Sequence, residues 1–173
     1  MLDRLIDLIV DFVSLFQIYV FIDQYEEGVI LRCGKYHRTV GPGLRWILPL
    51  NFEAVLTDNV VPTTAELGVQ SLHTKDDHHI NIQGVLLWKI SDIRKVLIDV
   101  EDADDALTDA ATGYLAEMVA DHPWDEIRTS KFVKKLKSKI QEQARIWGIQ
   151  VMKVYISDCS KTRAMRLWHE GWE

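Results

Sequence analysis

A Gly-Pro-Gly turn between two apolar runs is the feature that most limits how residues 26–50 can fold. Proline fixes its own φ and either glycine can adopt a positive φ, so we expect the chain to reverse tightly there, as a hairpin turn. The turn residues are Gly41, Pro42 and Gly43. After them come Trp46, Ile47 and Leu48, a succession with more apolar surface than one face of a strand can bury. We interpret these three residues as a partly exposed apolar edge, with burial beneath the next hairpin as the alternative.

The run before this turn predicts a second strand. Val29, Leu31 and Cys33 share one parity, which indicates a strand with one buried face. Glu26–Gly28 predicts a turn before that strand, and the polar residues 35–40 predict a loop after it.

The N-terminal segment, residues 2–22, is the most hydrophobic part of the chain. On a helix, Asp3, Asp7, Asp11 and Ser14 would line one face, and apolar side chains would cover nearly all the rest. The uncharged run that ends at Ile22 is too short to cross a bilayer as a helix, which takes about 20 residues. A signal peptide is also disfavoured, because no basic region or small-residue cleavage site is present.

Three interpretations of this segment stay open: a helix embedded in one leaflet or in the interface, a full membrane span, and a buried helix or oligomer interface. We prefer the first, which makes residues 1–22 a membrane-associated segment. The predicted membrane-contacting residues are Leu5, Leu8, Ile9, Phe12, Val13, Leu15, Phe16, Tyr19, Phe21, Trp46, Ile47 and Leu48.

The rest of the chain predicts an α+β fold, with an antiparallel sheet packed by helices. Period-two patterns predict strands, and period-3.6 patterns bounded by capping residues predict helices. The predicted strands are 18–24, 53–61, 66–74, 80–90 and 149–156, and the predicted helices are 92–99, 102–121, 124–127 and 129–147. We place the domain at residues 23–158 and a short helical tail at residues 159–173.

The charge and the reactive residues exclude several classes of function. A net charge of −6 argues against nucleic acid as the main partner. Cys33 and Cys159 match no metal-binding spacing and are expected to be free thiols. His73, His78 and His79 are expected to form a solvated turn rather than a metal site. No catalytic arrangement is evident, so neither an enzyme nor a cofactor is predicted.

The order of these elements resembles that of the SPFH superfamily, which includes stomatin, prohibitin, flotillin and related bacterial membrane-protease regulators. The resemblance covers about residues 20–158. It depends on the following stretches: Val29–Lys35, Gly41–Leu44 with Ile47–Pro49, Thr74–Asp77, and Trp147–Val151.

The resemblance implies a domain that lies on a membrane surface, at an inner or plasma membrane, anchored by the N-terminal segment. Relatives assemble into rings or cages that organise membrane and regulate resident proteases or channels. They usually continue into a long coiled coil, whereas this sequence ends at Glu173 and is expected to be a short form. A small homo-oligomer, or a subunit that joins another SPFH assembly, is therefore expected.

Opposite charges on two predicted helices suggest how copies could associate. The acidic start of the predicted helix 102–121 could meet the basic side of the predicted helix 129–147 on a neighbouring subunit. The candidate interface residues are Asp102, Asp105, Asp109, Lys131, Lys135 and Lys139. We predict a membrane-associated scaffold that regulates membrane proteins such as a protease. The alternative is a soluble binding or inhibitory module that inserts into another SPFH–protease assembly.

Overall fold

The computed structural model describes residues 18–50 and 52–162, so the predictions for residues 1–17 and for the tail beyond Thr162 lie outside it. The strands are β1 Tyr19–Ile22, β2 Glu26–Arg32, β3 Lys35–Val40, β4 Gly43–Trp46, β5 Glu53–Asn59, β6 Thr63–His73, β7 His79–Ile90 and β8 Ile149–Lys161. The helices are α1 Ile93–Ile98, α2 Ala103–Asp121, α3 Trp124–Ile127 and α4 Ser130–Ile146. This order confirms the α+β class. Within these residues, every helix is too short or too polar to cross a membrane.

The chain divides into two compact units. The first contains the described part of residues 1–63, with 89–103 and 145–150. The second contains residues 64–88, 104–144 and the described part of 151–173.

Two small sheets form most of the first unit, a pair β1–β4 and a three-stranded sheet in the order β3–β2–β5. The central strand is antiparallel to both neighbours, and its Val29 and Ile30 are fully buried. Ile30 joins Ile22 and Val40 in an apolar cluster against which Val20, Ile47 and Val55 pack. This cluster connects the two sheets, because it draws side chains from β1, β2 and β3.

Gly148 organises the other end of the first unit. Its φ of 82° lies in the left-handed region, which ends helix α4. Its carbonyl oxygen accepts hydrogen bonds from the Ser91 N–H (2.8 Å), the Asp92 N–H (3.0 Å) and the Ser91 hydroxyl (2.8 Å). Asp92 is the N-cap of α1 and accepts the Lys95 N–H. The helix stop at Gly148 therefore fixes the start of α1.

The second unit contains a sheet in the order β6–β7–β8. From Ile80 onwards, β7 alternates between buried and partly buried residues, which confirms the predicted strand 80–90. Burial in β8 changes parity between Val151 and Val154, where the sequence also breaks its alternation. Helix α4 buries one stripe of side chains spaced by four, four and four residues. These residues are Phe132, Leu136, Ile140 and Ala144.

The turn between β6 and β7 is tied to the junction of α2 and α3. Thr74 is buried, and its hydroxyl donates a hydrogen bond to Asp76. Asp76 Oδ1 also accepts the Trp124 N–H (3.1 Å), and the Lys75 N–H donates to the His122 carbonyl (3.2 Å). The Thr74 hydroxyl, followed by the Trp124 N–H, holds the pKa of Asp76 below its ordinary value.

Two predictions around the first turn were wrong. Glu26–Gly28 belongs to β2 rather than to a turn, because the strand pairs with β5 from Glu26 and with β3 from Gly28. Residues 35–40 form β3 rather than a loop. As an edge strand, β3 buries only Val40, so its sequence lacks the apolar alternation of a strand.

The predicted hairpin at Gly41, Pro42 and Gly43 was also wrong in its pairing. Strand β3 pairs with β2, and β4 pairs with β1, so the turn passes the chain from one sheet to the other. Gly43 does adopt a positive φ, 107°. At the other end of the chain, β8 continues to Lys161, so the predicted helical tail does not begin at residue 159.

Candidate membrane-contact surface

One face of the β1–β4 pair carries four large apolar side chains. The antiparallel register places Tyr19 opposite Trp46 and Phe21 opposite Leu44, so all four project to the same side of the pair. Phe21 is 70% exposed and Trp46 is 64% exposed. The Tyr19 and Phe21 rings meet edge to face, with centroids 5.6 Å apart. We call Tyr19, Phe21, Leu44 and Trp46 the apolar face.

The opposite side of the same pair is held against the core. Ile22 is 4% exposed, and Val20 packs against the cluster to which Ile22 belongs. The Ile47 N–H extends the ladder by donating to the Ile18 carbonyl at 2.9 Å. Because alternate residues of each strand are fixed inward, the backbone holds the apolar face outward.

The loop that follows β4 continues this exposure. Leu48, Leu50 and Phe52 are each about half exposed, at 45%, 52% and 50%. Exposed single apolar residues are common, but a run of them beside four others is typical of an interaction surface.

A buried carboxylate fixes the start of that loop. The side chain of Glu53 is 2% exposed, and its Oε1 accepts from Arg32 Nη2 (2.7 Å) and Nε (3.0 Å). Its Oε2 accepts the Leu48 N–H at 3.0 Å. The Arg32 guanidinium lowers the pKa of Glu53 most, burial opposes this, and the Leu48 N–H lowers it further.

The variant Glu53→Gln is expected to lower the free energy of unfolding at pH 7 by about 1.5 kcal/mol, because an amide cannot satisfy both partners. A carboxylate whose folded-state pKa is lowered stabilises the fold above its unfolded pKa, and this stabilisation is lost as the pH falls through the folded value. The difference between wild type and variant should therefore shrink from pH 7 towards pH 3 in urea titrations. A difference that does not change with pH would contradict this role, and Glu66→Gln, at an exposed position of β6, serves as the control.

The predicted contact residues differ in their exposure. Tyr19, Phe21, Trp46 and Leu48 are exposed, whereas Ile47 packs against the buried cluster and is a core contact. Leu44 was missed, although its parity with Trp46 is visible in the sequence. The predicted residues between Leu5 and Phe16 lie outside the described part of the chain. Contact with a membrane stays a prediction for all of them.

The structure brings two of the three predicted turn histidines together. His73 and His79 lie across from each other at the ends of β6 and β7, with 2.9 Å between their Nε2 atoms. Among the described residues, no group of three or more possible metal ligands is present. Cys33 is exposed, and burial raises the pKa of the half-buried Cys159 thiol. A raised pKa opposes formation of the reactive thiolate.

Two of the candidate oligomer residues already contact side chains of the same chain. Lys139 of α4 forms an ion pair with Glu117 of α2 in the same chain, at 3.0 Å. Lys135 Nζ lies 3.5 Å from His122 Nε2. Asp109 and Lys131 are exposed, as are Asp102 and Asp105. The opposite charges of α2 and α4 thus meet, at Lys139, within one subunit.

Comparison with known proteins gives one family. The model of the SPFH domain / Band 7 family matches residues 20–164. An uncharacterized protein of Archaeoglobus fulgidus is 30% identical over 147 residues, covering 84% of this chain and 59% of that protein.

Two named relatives are also similar. Protein HflK of Vibrio cholerae is 36% identical over 109 residues, which cover 63% of this chain and 27% of that protein. A stomatin homolog of Pyrococcus horikoshii is 27% identical over 147 residues, which cover 84% of this chain and 55% of that protein. The chain spans less than two thirds of the length of each of these three relatives.

Proposed function

The chain belongs to the SPFH domain / Band 7 family, and from this premise we propose that it is a non-enzymatic scaffold whose apolar face rests against a membrane. In this proposal the N-terminal segment anchors the chain in the lipid. The scaffold associates with further copies or with another SPFH assembly, and regulates a membrane protein such as a protease.

The observation that carries the proposal is the apolar face itself. Phe21 and Trp46 are exposed on a backbone that cannot turn them inward, because Ile22 fills the core side of the pair. Tryptophan and tyrosine favour the boundary between lipid headgroups and acyl chains. Strand β1 also forms the C-terminal end of residues 2–22, the most apolar stretch of the sequence. The proposed anchor and the apolar face are therefore adjacent along the chain.

Bromine-labelled lipid tests the contact at Trp46. We expect fluorescence of the full chain, reconstituted in phosphatidylcholine bilayers with dibrominated acyl chains, to be quenched in part at Trp46. The variant Trp46→Phe should lose this part of the quenching. The control Trp88→Phe removes an indole that is 6% exposed and should leave the quenching as in wild type. Equal quenching in wild type and Trp46→Phe would contradict the proposal.

The alternative, a soluble module that inserts into another assembly, predicts equal quenching in wild type and Trp46→Phe. In that case the apolar face would contact a partner protein instead of lipid. A truncated chain that begins at Asp23 is a poor test of the two, since it removes β1 and uncovers β4. The full chain with single substitutions avoids this problem.

Association between copies is the second part of the proposal. Asp109 and Lys131 are its best-placed residues, because both are exposed and no ion pair to either is seen within the described residues. Lys139 is weaker support, since Glu117 already neutralises it. A monomeric mass for the full chain in detergent would contradict this part alone. The resemblance to bacterial membrane-protease regulators supports a protease as the regulated protein.

A further inference from the structure

The segment that carries β4 is locally positive in a chain of net negative charge. Residues 28–52 contain four Lys or Arg residues and no Asp or Glu, whereas the whole chain has a net charge of −6. Arg32 is neutralised by Glu53. The remaining cations are Lys35, Arg38 and Arg45, and the last two line one pocket together with Leu44 and Trp46 of the apolar face.

The guanidinium of Arg38, a residue of β3, reaches the edge of β4 that faces away from β1. The Ile47 N–H points towards β1, where it donates to the Ile18 carbonyl. The Trp46 carbonyl of the same planar, trans peptide therefore points away from β1. Arg38 Nη2 donates to this carbonyl at 3.0 Å.

Arg45 lies opposite Val20 in the register, on the other side of the pair from the apolar face, and the turn before β4 holds its guanidinium. Its Nε donates to the Gly41 carbonyl and its Nη2 to the Pro42 carbonyl, each at 3.0 Å. A guanidinium has five N–H groups, so backbone carbonyls orient both arginines and leave further donors for a ligand. Orientation by backbone reduces the conformational entropy that the side chains would lose on binding.

The two guanidiniums border a shallow pocket of about 380 Å³. Its lining residues are Arg38, Thr39, Val40, Gly41, Leu44, Arg45 and Trp46. None of these is acidic, and two belong to the apolar face. A cationic pocket therefore opens beside the side chains that are proposed to meet acyl chains.

We propose that this pocket binds the phosphate of an anionic phospholipid headgroup. The proposal rests on the membrane contact described above, because the apolar face would bring the headgroup to the pocket. Arginine binds phosphate through paired N–H donors, and a cation near an anionic bilayer is attracted to its surface. Leu44 and Trp46 would contact the upper acyl chain of the same lipid.

Bilayers in which only one lipid class carries bromine test which headgroup lies at the pocket. The full chain is reconstituted in bilayers of phosphatidylcholine and phosphatidylglycerol, with dibrominated chains on only one of the two lipids. Trp46 quenching, taken as wild type minus Trp46→Phe, is expected to be stronger with brominated phosphatidylglycerol at equal mole fraction. The preference should fall about fivefold for each arginine removed, in Arg38→Gln and in Arg38→Gln/Arg45→Gln. Arg145→Gln removes the same charge from the exposed end of α4 and should keep the preference.

The outcomes separate this inference from the proposed function. Equal quenching by both brominated lipids in wild type, or an unchanged preference in the double variant, overturns the headgroup site and leaves the membrane contact standing. Absence of Trp46 quenching by either lipid overturns the membrane contact itself. Retained quenching by brominated phosphatidylcholine in the variants shows that Trp46 still meets lipid, and an unchanged circular dichroism spectrum shows that the fold is retained.

Inorganic phosphate offers the same oxygen atoms as a lipid headgroup and could occupy the pocket in its place. Inorganic phosphate is added to the wild-type bilayers, against sodium chloride of equal ionic strength. The phosphatidylglycerol preference should respond equally to both salts, because the site recognises phosphate within a lipid. Loss of the preference with phosphate alone would assign the pocket to a soluble phosphate and overturn the inference.

Discussion

Replacing Gly148 with alanine is expected to lower the free energy of unfolding by about 3 kcal/mol or more. The φ of 82° disfavours any L side chain, and an added Cβ would lie 2.6 Å from the Asp92 carbonyl oxygen and 2.9 Å from Lys95 Cβ. Relief would require moving Asp92 backbone, whose N–H is itself bonded to the Gly148 carbonyl. The variant therefore combines backbone strain at residue 148 with loss of the hydrogen bonds that position the start of α1.

Gly113→Ala is the matched control for this substitution. Gly113 lies in the interior of α2, and a Cβ added there would meet nothing within 4 Å. Alanine has the higher helix propensity, so this variant should be unchanged or more stable by about 0.5–1 kcal/mol. Urea denaturation of the full chain followed by circular dichroism measures both. Similar stabilities for the two variants would contradict the role assigned to Gly148.

The double variant Phe21→Ser/Trp46→Ser is expected to reduce partition of the full chain into phosphatidylcholine vesicles by about a hundredfold. Transfer of one large apolar side chain from water contributes about 1.5–3 kcal/mol, and the lower value applies to an interface. Both side chains are mostly exposed, so their replacement removes no core contact, and the fold should be retained. Vesicle flotation against lipid concentration gives the partition coefficient.

Two exposed apolar residues elsewhere supply the control for this second experiment. Val69 and Ile146 are 66% and 62% exposed, similar to the pair on β1 and β4. Val69→Ser/Ile146→Ser removes exposed apolar side chains but lies outside the apolar face, so its partition should match wild type. An equal reduction in both double variants would show general loss of hydrophobicity and contradict a specific contact surface.

Elements whose signal is local were predicted well from the sequence. The predicted strand 80–90 and the predicted helices 92–99, 102–121, 124–127 and 129–147 each depend on patterns among nearby residues, and the structure confirms all five within one residue at each end. The family resemblance was confirmed as well, by the match over residues 20–164. Strand β3 was missed because an edge strand with one buried residue has no apolar alternation to detect.

The candidate site was predicted only in part, for a related reason. Tyr19, Phe21 and Trp46 were chosen from their apolarity, but the register that makes them one face with Leu44 joins residues more than 20 positions apart. Ile47 was chosen on the same grounds, yet it packs inward against the cluster of Ile30 and Val40.

The sequence by itself determined most of the elements and their order, with β3 as the exception, together with the position of the Gly-Pro-Gly turn and an excess of apolar surface around it. Periodicity, capping and turn chemistry are properties of neighbouring residues, so they can be read without the fold. Only the tertiary structure decided that β4 pairs with β1 instead of β3, and that Glu53 is buried against Arg32. It also decided that Arg38 reaches the Trp46 carbonyl. These contacts depend on strand pairing between separate parts of the chain, and no local pattern specifies that pairing.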